Sequence, residues 1–271
     1  PRDRFTYVFA GRFSADYQVL TWDRRNSGAS DIAIEDAESE FHLWTDDLHI
    51  LLQQLDMSPA YVGGGSGGCV MSLLMAHRYP QDVKGLLLYW PPTDDLQSCL
   101  RPLAEHYYLC LARAAEDKGM EAVIALSSDP PEPEWAGATG WVAQAIAQNP
   151  HNRDRLLSMD PKHFASVMKK WAGWVASPRL YLANLSDKEL ASITVPAIVC
   201  YGFNAWHPEH TARELCHKLP NAECVDYAAR YTSAEIQEIA DIEASGDLAE
   251  STKSVFRFPF YKDFLQRVES R

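Results

Sequence analysis

Residues 60–79 read AYVGGGSGGCVMSLLMAHRY, and this stretch decides the fold. The apolar residues at its start predict a strand over 60–63, and the apolar run after the glycines predicts a helix over 69–79. Between them, G-x-S-x-G at residues 64–68 predicts a tight strand-to-helix turn, in which glycines avoid clashes of side chains. Ser66 is therefore a candidate nucleophile. The N–H of Gly67, at the start of the helix, is a candidate donor to an oxyanion.

Length and composition limit the classes to which this chain can belong. Its 271 residues suffice for one large α/β domain, or for a core domain with a lid. The net charge of −12 disfavours a nucleic-acid partner, because phosphate binding requires clustered Lys and Arg. Apolar runs such as residues 85–90 and 195–201 are far shorter than the roughly 20 residues that span a bilayer. We therefore expect no membrane partner and a soluble, cytoplasmic protein.

The cysteines and the acidic residues show no spacing typical of a metal site. The six cysteines are scattered without C-x-x-C pairs, which predicts six free thiols. The acidic stretch over residues 31–40 precedes a helical pattern, and negative charge favours a helix N-terminus. We expect a solvated loop there rather than a metal site.

Predicted strands and helices alternate in both halves of the chain, which indicates a parallel sheet with helices on both faces. The region between these halves is helical, interrupted by prolines and rich in tryptophan, and resembles an inserted lid. We predict a core of residues 1–92 and 195–271 and a helical lid of residues 93–194. The predicted strands are 17–22, 60–63, 84–89, 195–201 and 223–227, and the predicted helices outside the lid are 41–55, 69–79, 208–219, one opened by a capping box at Thr232 and Glu235, and 256–268.

Four local patterns resemble the α/β-hydrolase fold superfamily. Residues 22–31 resemble its strand 4 with a D-R-R-x-x-G-x-S turn, residues 64–68 its nucleophile elbow, residues 195–202 its strand 7, and residues 221–223 the start of its strand 8. The resemblance implies an α/β-hydrolase fold, with a mostly parallel sheet and an inserted helical lid. It also implies that the first three strands of the family, and the loop that supplies the second oxyanion N–H, precede Pro1. We expect these N-terminal strands to be absent from this chain.

The same resemblance leaves the catalytic triad incomplete. The acid of the family usually follows strand 7, where this chain has Asn204, and the histidine follows strand 8, where this chain offers Arg230 and Tyr231. An amide cannot carry the charge, and no histidine follows His217. His207 is the best substitute base, because it follows strand 7 at the carboxyl edge of the sheet, where active sites of α/β folds form. The alternative for His207 is a structural role at the start of a helix.

Four further residues have both a functional and a structural interpretation. Asp94 and Asp95 follow a strand and are candidates for the acid, or they cap a helix of the lid. His106 is either a second candidate base or a partly buried helical histidine. Cys69 lies on the first turn of the elbow helix, where the helix dipole lowers a thiol pKa, or it packs in the core.

The aromatic residues favour an apolar substrate. Six of the eight tryptophans lie in or beside the predicted lid, where they line a pocket or pack the lid itself: Trp90, Trp135, Trp141, Trp171, Trp174 and Trp206. We predict that Gly65, Trp90 and Trp206 contribute to the substrate pocket.

The sequence predicts a serine hydrolase acting on a small apolar ester, amide, lactone or C–C bond, without a cofactor or a metal. The alternative is a hydrolase-like binding protein that has lost the triad. A third hypothesis is a cofactor-free lyase or oxygenase in which Ser66 binds the substrate. The number of subunits does not follow from the sequence.

Overall fold

A computed structural model of the chain describes residues 13–202, 204–226, 232–234 and 258–270. The described residues divide into two compact units. The first, here called the core unit, takes its residues from 1–22, 49–93 and 181–271. The second, here called the helical unit, consists of residues 23–48 and 94–180. The predicted boundaries of core and lid differ from this division, and the assignment of a lid stays a prediction.

The described residues contain four strands and ten helices of six or more residues. The strands are β1 (Ala60–Gly65), β2 (Val83–Tyr89), β3 (Ala197–Cys200) and β4 (Ala222–Val225). The helices are α1 (Glu40–Gln54), α2 (Gly67–Arg78), α3 (Cys110–Lys118), α4 (Met120–Ser128), α5 (Trp141–Gln148), α6 (His151–Leu157), α7 (Pro161–Val175), α8 (Asp187–Ser192), α9 (Glu209–Lys218) and α10 (Phe258–Glu269). Shorter helical segments are Pro80–Asp82, Leu96–Leu100, Arg101–Ala104, Glu105–Leu109, Pro133–Trp135, Ala136–Thr139 and Leu180–Leu182.

The core unit is built on a parallel sheet with the strand order β1-β2-β3-β4. The register pairs Val62 with Leu86, Leu88 with Val199, and Val199 with Cys224. All four residues of β3 are buried, as parallel strands are when helices cover both faces. Because the strands are parallel, the residues that follow β1, β2 and β3 meet at one edge of the sheet.

The strand predicted over residues 17–22 is wrong. Residues 18–24 have no regular secondary structure, and none of residues 17–22 is buried. A strand is stabilised by hydrogen bonds to a neighbouring strand, and among the described residues β1 pairs only with β2. The alternating pattern of YQVLTW therefore has no partner in the described part of the chain. The other four predicted strands are present with shifts of up to two residues at their ends.

The helix predicted over residues 41–55 is present as α1, but its apolar face ends earlier than expected. Phe41, Trp44, Leu48 and Leu52 are buried, whereas Leu55 lies beyond the helix end and is 46% exposed. The last residue of the apolar pattern therefore contributes nothing to the core.

The D-R-R-x-x-G-x-S turn at the start of the helical unit requires its glycine. Gly28 has φ 61°, and a Cβ there would lie 2.3 Å from Cγ of Asp23. The Asp23 carboxylate accepts a hydrogen bond from the N–H of Ala29 at 3.0 Å, and the Ser30 hydroxyl donates to the carbonyl oxygen of Asp23 at 2.7 Å. Asp23, Gly28 and Ser30 of this pattern thus stabilise the turn.

The remainder of the helical unit packs around α7. This helix contacts α3, which in turn contacts α4. Phe164 and Trp171 on α7 are completely buried, and Trp141 is 8% exposed. Trp141 and Trp171 are therefore core residues of this unit, in agreement with the packing alternative for the tryptophans.

The prediction of six free thiols is wrong for two cysteines. Cys216 on α9 and Cys224 on β4 form a disulfide, because the helix leads back into the neighbouring strand and brings the two Cα atoms to 6.1 Å. The other four cysteines, Cys69, Cys99, Cys110 and Cys200, form no disulfide among the described residues.

Among the described residues, no helix is both long enough and apolar enough to cross a membrane. The predicted capping box includes Glu235, which lies outside the described residues.

Candidate active site

Ser66 occupies the turn between the last residue of β1 and the first residue of α2. Its backbone has φ 54° and ψ −119°, a conformation that costs a non-glycine residue about 1–3 kcal/mol. Hydrogen bonds hold it there: the Ser66 N–H donates to the carbonyl oxygens of Tyr89 at 3.2 Å and Trp90 at 3.1 Å. The Ser66 carbonyl accepts from the N–H of Cys69 at 2.9 Å. The turn is strained and firmly held, as a nucleophile elbow requires.

Two of the flanking glycines are needed because other atoms approach them closely. A Cβ at Gly64 would lie 2.8 Å from Cα of Gly68, and a Cβ at Gly65 would lie 2.1 Å from the ring of Tyr89. Gly68 is different, since a Cβ there would meet nothing within 4 Å. The steric reason for the glycines is therefore correct for Gly64 and Gly65 and wrong for Gly68.

Gly67 is the first residue of α2. The N–H groups of the first helical turn have no acceptor inside the helix, and the positive end of the helix dipole lies there. These two properties suit the predicted role of Gly67 as an oxyanion donor, which stays a prediction.

Asn204 folds the loop after β3. Its side-chain oxygen accepts hydrogen bonds from the N–H groups of Trp206 and His207, both at 3.0 Å. The same loop packs on Gly202, where a Cβ would lie 2.3 Å from the carbonyl oxygen of His207. Asn204 therefore acts as a turn-forming residue at the position where the resemblance places an acid.

Trp90 brings the two candidate catalytic residues to the same end of the sheet. Its carbonyl oxygen accepts from Ser66, its N–H donates to the carbonyl oxygen of Cys200 at 2.9 Å, and its indole lies 5.8 Å from the imidazole of His207. The next loop is held similarly, because the N–H of Thr93 donates to the carbonyl oxygen of Trp206 at 2.8 Å. Ser66, Trp90, Trp206 and His207 thus share the carboxyl edge of the sheet.

Cys69 is completely buried and packs in the core. Its Sγ lies 3.2 Å from the carbonyl oxygen of Gly64 and 3.1 Å from that of Tyr89. Burial raises the thiol pKa well above its usual range, so the sulfur stays protonated. The expectation of core packing is supported over that of a reactive thiol.

Asp95 and His106 belong to the helical unit. The Asp95 carboxylate accepts from the N–H groups of Gln97 and Ser98 at 3.0 and 2.9 Å, and these bonds lower its pKa. Asp95 is thus a helix cap, one of its two predicted roles. The ring of His106 stacks on Trp135 with 4.7 Å between centroids. Arg230 and Tyr231 lie outside the described residues.

A polar cluster around the buried Asp82, at the opposite edge of the sheet, was not predicted from the sequence. Asp82, which is 1% exposed, accepts from Nδ1 of His49 at 2.6 Å, from Nε2 of Gln53 at 2.7 Å, and from the hydroxyl of Ser58. The ring of His49 also stacks on Tyr79 with 4.0 Å between centroids. The spacing of His49 and Gln53, four residues apart on one helix face, was the available signal.

Comparison with known proteins identifies the family. The alpha/beta hydrolase fold family matches residues 5–229, most of the chain, so this chain belongs to it.

One curated relative and two solved structures illustrate what the chain is similar to. The chain is 37% identical over 91 residues to the "Uncharacterized hydrolase YraK" of Bacillus subtilis (strain 168), which is 33% of this chain. The chain thus spans about a third of that curated relative, 32% of its length. The solved structure of Est816, an N-acyl homoserine lactone degrading enzyme, is 21% identical with a TM-score of 0.50, covering 82% of this chain and 78% of that chain. A thermophilic esterase from Thermogutta terrifontis is 21% identical with a TM-score of 0.48, covering 82% and 75%. Likeness at this identity concerns the fold alone.

Proposed function

We propose that this protein is a serine hydrolase that cleaves the ester, amide, lactone or C–C bond of a small, apolar substrate. The observation that carries the proposal is the backbone of Ser66, which is strained, held by hydrogen bonds and followed directly by a helix N-terminus. Family membership supports hydrolysis as the class of reaction. In this proposal Ser66 is the nucleophile, His207 the base and Gly67 the oxyanion donor.

The proposed chemistry has two steps. The Ser66 hydroxyl gives its proton to His207 while Oγ attacks the substrate carbonyl, and the carbonyl electron pair moves to an oxygen held by the N–H of Gly67. His207 then gives the proton to the leaving group, and the acyl group stays on Ser66. In the second step, water gives a proton to His207 and attacks the acyl carbon, the bond from that carbon to Oγ breaks, His207 returns the proton to Oγ, and the acyl product leaves as an acid. The exposed part of Trp206, with Gly65 and Trp90, is proposed to contact the apolar part of the substrate.

Replacing the nucleophile tests this proposal. We expect Ser66→Ala to lower kcat on a p-nitrophenyl ester by at least about 1,000-fold, since no other group replaces the attacking oxygen. Ser72→Ala is the matched control, because Ser72 lies on α2, the helix that follows Ser66, and its hydroxyl donates to the carbonyl oxygen of Gly68 at 2.8 Å. The control is expected to stay within about twofold of the parent. Equal activity of the Ser66 variant and the parent would contradict the proposal.

The second candidate function is a hydrolase-like binding protein, and Asn204 favours it. This residue cannot orient an imidazolium by charge, and its side-chain oxygen already accepts two backbone N–H groups. A fluorophosphonate probe distinguishes the two candidates. An active hydrolase becomes labelled at Ser66, whereas a binding protein stays unlabelled and is stabilised against heat by an apolar carbonyl compound.

A further inference from the structure

Trp90 touches both halves of the candidate catalytic apparatus through different parts of the residue. Its backbone carbonyl holds the nucleophile turn, and its side chain faces His207. The ring centroids are 5.8 Å apart, and the ring planes are inclined by 33°, so the rings are nearer to parallel than to perpendicular. A cation within about 6 Å of a tryptophan ring centroid is attracted by the negative face of the ring, and tryptophan is the strongest aromatic partner for this interaction.

The proposed reaction places a positive charge at this position. When the Ser66 hydroxyl transfers its proton, the imidazole of His207 becomes an imidazolium, and it stays charged until the proton passes to the leaving group. A carboxylate usually stabilises that charge in a serine hydrolase. Asn204 stands at the position expected for this carboxylate, and its amide oxygen bonds to backbone N–H groups instead.

We propose that the indole of Trp90 stabilises the imidazolium of His207 during the reaction, in the role that a carboxylate ordinarily has. Trp90 is then a positioning residue that acts through His207. This inference rests on the proposed function, and it adds a residue that stabilises the charged form of the proposed base, His207.

Other ionisable side chains lie next to His207 or Trp90 in the chain, and their effects have to be separated from that of Trp90. Glu209 and His210 begin the helix α9 that follows His207, and Tyr89 precedes Trp90. Glu209 forms an ion pair with Arg213 one turn later on the same helix. Glu209→Gln is therefore the control for a carboxylate partner.

The decisive comparison is between Trp90→Phe and Trp90→Leu. Both side chains are apolar and similar in size, but only phenylalanine has an aromatic face. We expect kcat to fall in the order Trp, Phe, Leu, with a loss of roughly 2- to 30-fold for the leucine variant, whereas any change in KM reports the separate contact of residue 90 with the substrate. The acidic limb of the kcat/KM profile is expected to move to lower pH in Trp90→Leu, since the imidazolium loses stabilisation. Trp90→Gly is expected to behave like the leucine variant, and it accepts the backbone φ of 57° without strain, should leucine impair folding.

The background variant His207→Gln tests whether Trp90 acts through the histidine. In that background, Trp90→Leu is expected to cause no further loss of kcat, because the charged partner is gone. An equal loss in both backgrounds overturns the inference, as does an equal loss in the phenylalanine and leucine variants. A displaced acidic limb in Glu209→Gln but not in Trp90→Leu also overturns it.

If Ser66→Ala keeps full activity, the proposed function itself fails. If Ser66→Ala is inactive and Trp90→Leu is unchanged, only the present inference fails.

Discussion

Ser66 and Trp90 are non-glycine residues with left-handed backbone conformations at the same end of the sheet. Their φ angles are 54° and 57°, and one hydrogen bond joins them directly. Each such conformation costs about 1–3 kcal/mol and persists only when the surrounding structure enforces it. Strain at two joined residues is typical of functional sites rather than of ordinary connections.

The glycines of the elbow give a sharp prediction at the residue scale. We expect Gly64→Ala to destabilise the protein and to reduce its activity, because the added Cβ would lie 2.8 Å from the backbone of Gly68, which cannot move without displacing the turn. Gly68→Ala is the matched control. Its Cβ meets nothing within 4 Å, and alanine is favoured over glycine in helices by roughly 0.5–1 kcal/mol. Thermal unfolding and ester turnover measure both variants, and equal behaviour of the two would contradict the steric argument.

How much of the site the sequence predicts depends on the distance between the residues involved. The position of Ser66 follows from five consecutive residues, so a local pattern suffices. The turn-forming role of Asn204 was also accessible, because Asn side chains often bond to N–H groups two or three residues later. The approach of Trp90 to His207 was not accessible, since it depends on the pairing of β2 with β3, whose residues are more than 100 positions apart.

The polar cluster around Asp82 joins three elements of the core unit. His49 and Gln53 lie in the last turns of α1, Ser58 precedes β1, and Asp82 directly precedes β2. A buried carboxylate is tolerated when hydrogen bonds compensate for its loss of water, and here three side chains supply them. The cluster thus fixes how the end of the helix meets the start of both strands.

Removing this carboxylate is expected to be costly. Asp82→Ala removes a buried carboxylate and leaves two half-buried polar side chains, His49 and Ser58, and the exposed Gln53 without their acceptor, which we expect to lower the free energy of unfolding by about 2–4 kcal/mol. The control is Asp16→Ala, whose carboxylate is 55% exposed and pairs with Lys262 at 2.7 Å. Surface pairs of this kind contribute about 0–1 kcal/mol. Denaturant unfolding of the two variants checks the difference, and an equal loss would argue against a special role for Asp82.

At the scale of elements, the sequence predicted well those strands and helices whose signal is local. Strand β3 is a continuous apolar run, β2 contains the apolar run of residues 85–89, and α2 follows a glycine turn, so each can be recognised without knowing its neighbours. The strand predicted at residues 17–22 depended on an unseen partner and was wrong. The disulfide was missed for a similar reason, because the chain reverses its direction between Cys216 and Cys224, which are eight positions apart.

For the whole molecule, Glu40 is a buried acid whose ionisation affects stability. It is 4% exposed, and its carboxylate accepts from Nδ2 of Asn26 at 2.8 Å and from the hydroxyl of Tyr108 at 3.0 Å. Burial raises the pKa of Glu40, and the two hydrogen bonds, with Arg24 and Arg25 nearby, only partly oppose this.

A raised pKa means that the folded protein binds the proton more tightly than the unfolded chain does. The stability that this proton contributes is full below the ordinary glutamate pKa and is lost as the pH rises through the raised value. We therefore expect the free energy of unfolding of Glu40→Gln, measured relative to the parent, to increase from pH 4 to pH 8. Denaturant unfolding over this pH range measures it. Glu134→Gln, an exposed residue of the same unit, is expected to follow the parent at every pH. The prediction would be refuted if the free energies of unfolding of Glu40→Gln and the parent changed equally with pH.

The last described helix, α10, places Tyr261 in the centre of the core unit. Its side chain is completely buried, and its hydroxyl donates to the carbonyl oxygen of Leu88, 173 residues earlier in the chain. During synthesis, β2 therefore emerges from the ribosome long before Tyr261, which covers this strand, is added to the chain. Until residues 258–269 emerge, β2 lacks the side chain that covers Leu88 in the folded protein, so this part of the core can be completed only after α10 has been made.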